Sequence, residues 1–383
     1  MTPTRTVLLA PDKFKGTLSA AQVVEALRLG IARTAPELQV LSCPIADGGD
    51  GTVDAALAAG FTEHSATVTG PTGAPRIARW ALQDGVAVLE LAETVGLQAL
   101  PGGMLAPGTA STRGLGELIR AAVSAGAHTV LVGLGGSSST DAGAGLLQGL
   151  GAHLLTEDGT AISGGLNALP TLARADLAPA LEALEGVTLI AANDVTNPLL
   201  GTEGAAAVYG PQKGLAPHEV ETADAALAAA AGILDPSGTH RDRAGAGAAG
   251  GTGFGLFLLG ARQRSGADAV FELVGVDALL EQVDVVVTGE GKLDEQTLQG
   301  KGPAEVARRA QQRGLPVAAV AGAITLSAAQ LDDAGIEEAW DLTSLAGSSR
   351  LALENGAELL VEVGRSLGAW ATEARSVRAR TDA

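Results

Sequence analysis

A chain of 383 residues with 46% hydrophobic side chains, a formal charge of −18 and a single cysteine is long enough for two folded domains. Its acidity sets it against nucleic acid and anionic membrane surfaces as partners, and one thiol, Cys43, allows neither an intrachain disulfide nor a zinc site of clustered cysteines. No run of 18 apolar residues spans a bilayer and the opening MTPTRTVLLAPDKF lacks the pattern of a signal peptide, so the cytoplasm is the expected location.

Residues 6–10 form a short apolar run, followed by a loop over 11–17 and a helix to about residue 33 with Ser19 as N-cap. Residues 39–45 predict a second strand, which ends in Ala46-Asp47-Gly48-Gly49-Asp50-Gly51 before a helix to about residue 59. Two strand–loop–helix units in succession predict a parallel sheet. From residue 63 the pattern changes to alternating runs at 65–69, 76–82 and 86–91, an antiparallel meander. A helix over 112–124, a buried strand over 129–134, a helix over 141–150, a strand over 188–192 and a helix over 217–231 follow.

Residues 244–255, AGAGAAGGTGFG, read as a linker or hinge, or as a flexible surface loop, with helical segments at 256–263 and 268–273 beyond. The last third returns to alternation: strand 283–287, helix 303–313, strands 317–321 and 338–342, and one long helix over 350–370. The expected architecture is α/β. Residues 1–62 and 262–383 form a doubly wound, mostly parallel, Rossmann- or flavodoxin-like domain. Residues 63–261 form an inserted α/β domain, and the ligand cleft lies between the two.

Lysine is scarce: of 25 basic residues only Lys13, Lys15, Lys213, Lys292 and Lys301 are lysines. All lie in glycine-flanked segments, where a compact ammonium does what a guanidinium fork does not. Lys13 and Lys15 flank Phe14 at the end of the first strand, a place for a carboxylate or a phosphate. Asp47 and Asp50 sit on an open glycine loop that suits magnesium or proton transfer, though Asp50 can equally cap the next helix. Gly133-Leu134-Gly135-Gly136-Ser137-Ser138-Ser139-Thr140-Asp141 is a Gly/Ser loop after a buried strand, and its N–H groups can hold phosphate. It lacks the lysine of a P-loop, and Asp141 needs a metal between itself and a phosphate.

Asn193 and Asp194 at a strand end can hold a hydroxyl or a metal, and Lys213 follows the lone tyrosine. Thr288-Gly289-Glu290-Gly291-Lys292-Leu293-Asp294, then Lys301, form a second charged loop suited to nucleotide and magnesium. The five histidines fall in none of these motifs.

Five segments in this order, APDKFKGTLSA, ADGGDGT, GLGGSSSTDAG, NDVTNPLLG with YGPQKG, and TGEGKLDEQTLQGKGP, resemble the bacterial glycerate kinase family of two-domain α/β type. The resemblance implies ATP and Mg²⁺ as cosubstrates and D-glycerate as acceptor, with 2-phosphoglycerate as product. It makes Lys13, Lys15, Asp47, Asp50 and Asn193 substrate-binding candidates, and Asp194, with Asp47 and Lys15, catalytic ones. Gly135, Gly136, Ser137, Ser138, Ser139, Thr140, Lys213, Gly289, Glu290, Lys292 and Lys301 become nucleotide candidates, and Asp141 and Asp294 metal candidates. A kinase of another small hydroxy acid and a non-catalytic nucleotide-binding regulator remain alternatives, and either a monomer or a homodimer is compatible.

Overall fold

The computed structural model describes residues 5–299 and 302–374. In chain order its strands are β1 Thr6–Pro11, β2 Gln39–Ser42, β3 Thr62–Thr69, β4 Pro75–Gln83, β5 Val86–Glu90, β6 Thr129–Gly133, β7 His153–Leu155, β8 Arg174–Asp176, β9 Thr188–Ala192, β10 Arg262–Arg264, β11 Val285–Leu293, β12 Val317–Ile324 and β13 Glu338–Asp341. The chain divides into two compact units. The first comprises Met1–Asp47, Asp54–Ala59 and Ala267–Ala383; the second comprises Gly48–Val53 and Gly60–Gly266.

The first unit holds a five-stranded parallel sheet in the order β13-β12-β11-β1-β2. Because side chains alternate across a strand, Val7 and Leu9 enter one apolar cluster with Val285 and Val287, while Leu8 and Ala10 enter another with Val286. Both faces are therefore covered, as a parallel sheet requires. Ser19 caps the helix Ala20–Thr34 in a capping box with Gln22, as its sequence predicts.

The second unit holds a six-stranded sheet, β10-β9-β6-β5-β4-β3. Its first four strands are parallel, and β3, β4 and β5 form the expected antiparallel meander. A hairpin of β7 and β8 stands apart.

Four local expectations are corrected. Residues 244–255 are no linker: Ala249 through Gly251 make a left-handed turn into the helix that runs on to Leu258, and Ala246, Ala248 and Gly250 through Gly255 are buried. Glycine richness here serves close packing rather than motion. The helix expected from residue 141 starts at Ala144, because Ala142 (φ 52°) and Gly143 (φ 72°) are left-handed. The strand expected to end at residue 287 continues to Leu293, paired with β12, so Gly289 through Leu293 are strand rather than loop. The last helix is two helices, Ser349–Glu354 and Gly356–Glu373, parted at Asn355.

Candidate active site

Ligands of parallel α/β sheets sit beyond the carboxyl ends of the strands, and each unit gathers its predicted polar residues there. In the first unit β1 ends at Pro11, and the Asp12 N–H donates to the Gly289 carbonyl of β11 at 2.7 Å. Phe14 is buried, and its N–H donates to the Leu18 carbonyl at 2.9 Å. That anchor leaves Lys13 half-buried and Lys15 exposed, which explains the alternation of lysine with a lone aromatic. A Cβ on Gly291 would stand 3.1 Å from the Lys15 backbone nitrogen, so β11 runs directly against the lysine loop. The first and fifth sequence motifs thus meet.

Asp12, passed over by the sequence reading, is the most perturbed group of this edge. It is 8% exposed, and its Oδ1 accepts the Lys13 N–H at 2.6 Å. Burial pushes its pKa up to about 7; Lys13 pulls it down, while Asp47 and Glu290 push it further up. Carboxylates from two distant stretches of chain therefore act on Asp12 here. Glu290 accepts the Thr297 hydroxyl at 2.5 Å. Asp294, expected as a metal ligand, pairs with Lys292 at 3.1 Å, and that contact holds its carboxyl below the usual range. Lys301 lies outside the described residues.

In the second unit the Asp50 loop lies on the Gly/Ser loop. Cβ atoms added to Gly133, Gly135 and Gly136 would stand 2.6 Å from the Gly48 carbonyl oxygen, 2.5 Å from the Gly49 Cα and 2.4 Å from Asp50 Oδ1. The two loops approach this closely because Gly48 and Gly49 on one side, and Gly133, Gly135 and Gly136 on the other, carry no Cβ at the crossing. Glu90, at the end of β5, supports the same loop from within: its Oε1 accepts the Val53 N–H at 2.6 Å, and the Gly51 N–H also bonds its carboxylate. Burial pushes Glu90 up to about 7 against those two donors. Neither Asp12 nor Glu90 stood out in the sequence, because an acid at a strand end has no local signature until its neighbours are known.

Of the Gly/Ser loop only Gly136 is exposed and Gly135 partly so. Ser137 through Thr140 are buried: the Ser138 hydroxyl donates to the Val95 carbonyl at 2.8 Å, and those of Ser137 and Ser139 lie 3.1 Å apart. Asp141, expected as a metal ligand, is fully buried and accepts the N–H groups of Thr112, Gly143 and Gly145 and the Thr112 hydroxyl. Lys213 is also buried.

At the end of β9, Asn193 Oδ1 accepts Gln263 Nε2 at 3.2 Å, while its buried Nδ2 has no hydrogen-bond partner among the described residues. That is a donor placed for a ligand oxygen. Asp194 is exposed, and its Oδ1 accepts the Gly266 N–H at 3.1 Å. Among the described residues no group of three His, Cys, Asp or Glu side chains is arranged to hold a metal by itself. Magnesium does not need one, since it takes one or two carboxylates and fills its remaining positions with phosphate oxygens and water. Asp50 and Asp194 in the second unit, and Asp47 and Glu290 in the first, suit that mode.

Parallel strand ends lined with acids, lysines and an unpartnered amide donor define an α/β protein built for a small, charged, oxygen-rich ligand. The comparisons make this specific. The chain belongs to the glycerate kinase family, whose model matches residues 7–372. Glycerate kinase of Bacillus subtilis (strain 168) is 38% identical over 369 residues, 95% of this chain and 97% of its own. Glycerate 2-kinase of Escherichia coli (strain K12) is 35% identical over 370 residues, with the same coverage. The crystal structure of a candidate glycerate kinase 2 from Salmonella typhimurium LT2 matches with a TM-score of 0.82 at 35% identity, covering 97% of this chain and 99% of that one. No helix among the described residues is long and apolar enough to cross a membrane.

Proposed function

We propose that this protein transfers the γ-phosphoryl group of MgATP to a hydroxyl of D-glycerate, giving 2-phosphoglycerate and ADP, and works in the cytoplasm. The observation that carries the reading is the match to the glycerate kinase family over nearly the whole chain. The acceptor hydroxyl oxygen forms a bond to the γ-phosphorus, the bond to the bridging oxygen of ADP breaks, and the hydroxyl proton leaves to a carboxylate.

In this reading the first unit binds the acceptor. Exposed Lys15 and half-buried Lys13 pair with the glycerate carboxylate, and Asp12, held near neutrality, accepts the proton. The second unit binds the nucleotide. Gly135 and Gly136 let phosphate approach the backbone, Asn193 Nδ2 donates to an oxygen, and Asp50 and Asp194 would hold the cation. The bound Mg²⁺ would neutralise phosphate charge.

The direct test is ADP release by the purified protein with MgATP and D-glycerate, with the phosphorylated product resolved. Glycerate-dependent turnover giving the 2-phosphate supports the reading. Turnover only with another hydroxy acid moves the error to the acceptor, and none with any acceptor leaves the regulator reading.

Lys15→Ala is expected to raise the Michaelis constant for glycerate about tenfold, the worth of one charge-assisted contact, at nearly unchanged kcat. Steady-state kinetics with each substrate varied would check this, and an effect confined to ATP would reverse the assignment of the two ligands.

A further inference from the structure

Lys213 ends the short 3₁₀ turn Pro211–Lys213 and is 1% exposed. Its Nζ donates to the Ser139 carbonyl at 2.5 Å, beneath the Gly/Ser loop. The space for that ammonium comes from Gly250, where a Cβ would stand 2.8 Å from Nζ and 2.0 Å from the Ser139 oxygen. Around Gly250 the chain is left-handed through Ala249 (φ 53°), Gly250 (φ 72°) and Gly251 (φ 91°). Carbonyls of this stretch bind the same loop: Ala249 accepts the Ser137 hydroxyl at 3.3 Å, and Gly250 accepts the Ala142 N–H at 3.2 Å. A non-glycine residue in this region is strained and persists only where its surroundings demand it. Two such residues, Ala142 and Ala249, belong to the two segments in contact here.

The charge itself also needs a reason. Burial pushes Lys213 down to about 7, and Asp141 opposes that shift. All the hydrogen-bonding neighbours of the Asp141 carboxylate are donors. The Thr112 hydroxyl oxygen accepts the Leu146 N–H, which leaves its proton for the carboxylate. Burial pushes the Asp141 carboxyl up, while the three N–H donors and the Thr112 hydroxyl favour its ionised form. Filling this volume with Leu or Met would avoid the cost of burying an ion. What an apolar residue lacks is the means to hold a carbonyl.

We propose that Lys213 is a positioning residue: admitted by the bare Cα of Gly250, its ammonium holds the Ser139 carbonyl inward and sets the loop conformation that presents Gly135 and Gly136 to the nucleotide. Because the peptide unit is planar, fixing that carbonyl also fixes the Thr140 N–H on the opposite side. The proposal rests on the nucleotide reading of this loop. It replaces the direct contact between Lys213 and nucleotide that the sequence suggests.

The test compares Lys213→Met and Lys213→Gln in the full-length enzyme, with both Michaelis constants and thermal melting measured. Met is expected to raise the ATP constant at least tenfold and leave the glycerate constant within twofold. Gln, which keeps an N–H donor on a side chain one atom shorter, should fall between Met and the wild type. Unchanged constants in a folded Met variant, or Met and Gln equally impaired, would overturn the proposal. Should Met not fold, Gln alone decides: a severalfold rise confined to ATP supports the proposal, and both constants unchanged or equally raised overturn it. Gly136→Val separates the two levels by placing a side chain on the exposed part of the loop. No effect of that variant on the ATP constant means that the nucleotide reading itself has failed; an effect there with none in Lys213→Met means that only the positioning role has.

Discussion

Asp12→Asn is expected to melt at a higher temperature than the wild type at pH 8 while losing roughly 10²–10⁴ in kcat, the usual worth of a positioned general base. Both effects have one cause. The carboxyl has an ordinary pKa of 3.8 and about 7 in the fold, mainly because it is buried, with Asp47 and Glu290 nearby. A group whose pKa is raised by folding contributes most to stability below its unfolded value, and that contribution is lost as pH rises through the folded value. Between about pH 4 and 7 the wild type therefore pays an increasing penalty for ionising Asp12, on the order of a few kcal/mol at the plateau. Asn keeps an acceptor for the Lys13 N–H and carries no charge, so it escapes that penalty. Below pH 4 the two proteins should melt alike.

The kinetic counterpart is a wild-type kcat/KM that rises with pH to a plateau above about 7, since only the ionised base takes the proton. Asp12→Asn should lose that limb. Glu90 titrates in the same range, so Glu90→Gln is the necessary control and should keep it. Asp194→Asn tests the base that the sequence favours. If it removes the limb and Asp12→Asn does not, the proton goes to Asp194. A variant of Asp12 that melts lower at pH 8 would mean that its carboxylate stabilises the fold, contrary to the argument from burial.

The sheets and their ligand-bearing ends are legible in the sequence because burial on both faces leaves near-continuous apolar strands, such as Val7–Ala10 against Val285–Val287. The failures share a physical origin. Residues 244–255 look flexible because composition reports glycine content, not what packs on it; here the partner is the serine loop, far away in the chain. Lys213 looks like a phosphate ligand because a glycine-flanked lysine usually faces solvent, and only the cavity left by Gly250 takes it inside. Asp12 and Glu90 owe their altered acidity to residues brought near by folding, so no local pattern carries it. Gly289 through Leu293 read as a loop because glycine and charge depress strand propensity, yet pairing with Val320 through Ile324 prevails.

That last misreading changes what Gly289 is for. As a loop residue it would be glycine so that phosphate could approach the backbone. As a strand residue it is glycine because a Cβ would stand 2.0 Å from the Val320 carbonyl oxygen. Gly289→Ala must therefore push β11 away from β12 in the middle of the sheet. Overpacking of this kind costs about 1–3 kcal/mol, occasionally more, against about 0.4–1 kcal/mol returned by a stiffer unfolded chain. The melting temperature should fall by roughly 5 °C. The Gly289 carbonyl also accepts the Asp12 N–H at 2.7 Å, so a displaced β11 carries Asp12 with it and kcat falls as well. The Michaelis constant for ATP should stay near its wild-type value. An unchanged melting temperature with a raised ATP constant would give Gly289 back its role at the phosphate, and would make the extension of β11 to Leu293 incidental to function.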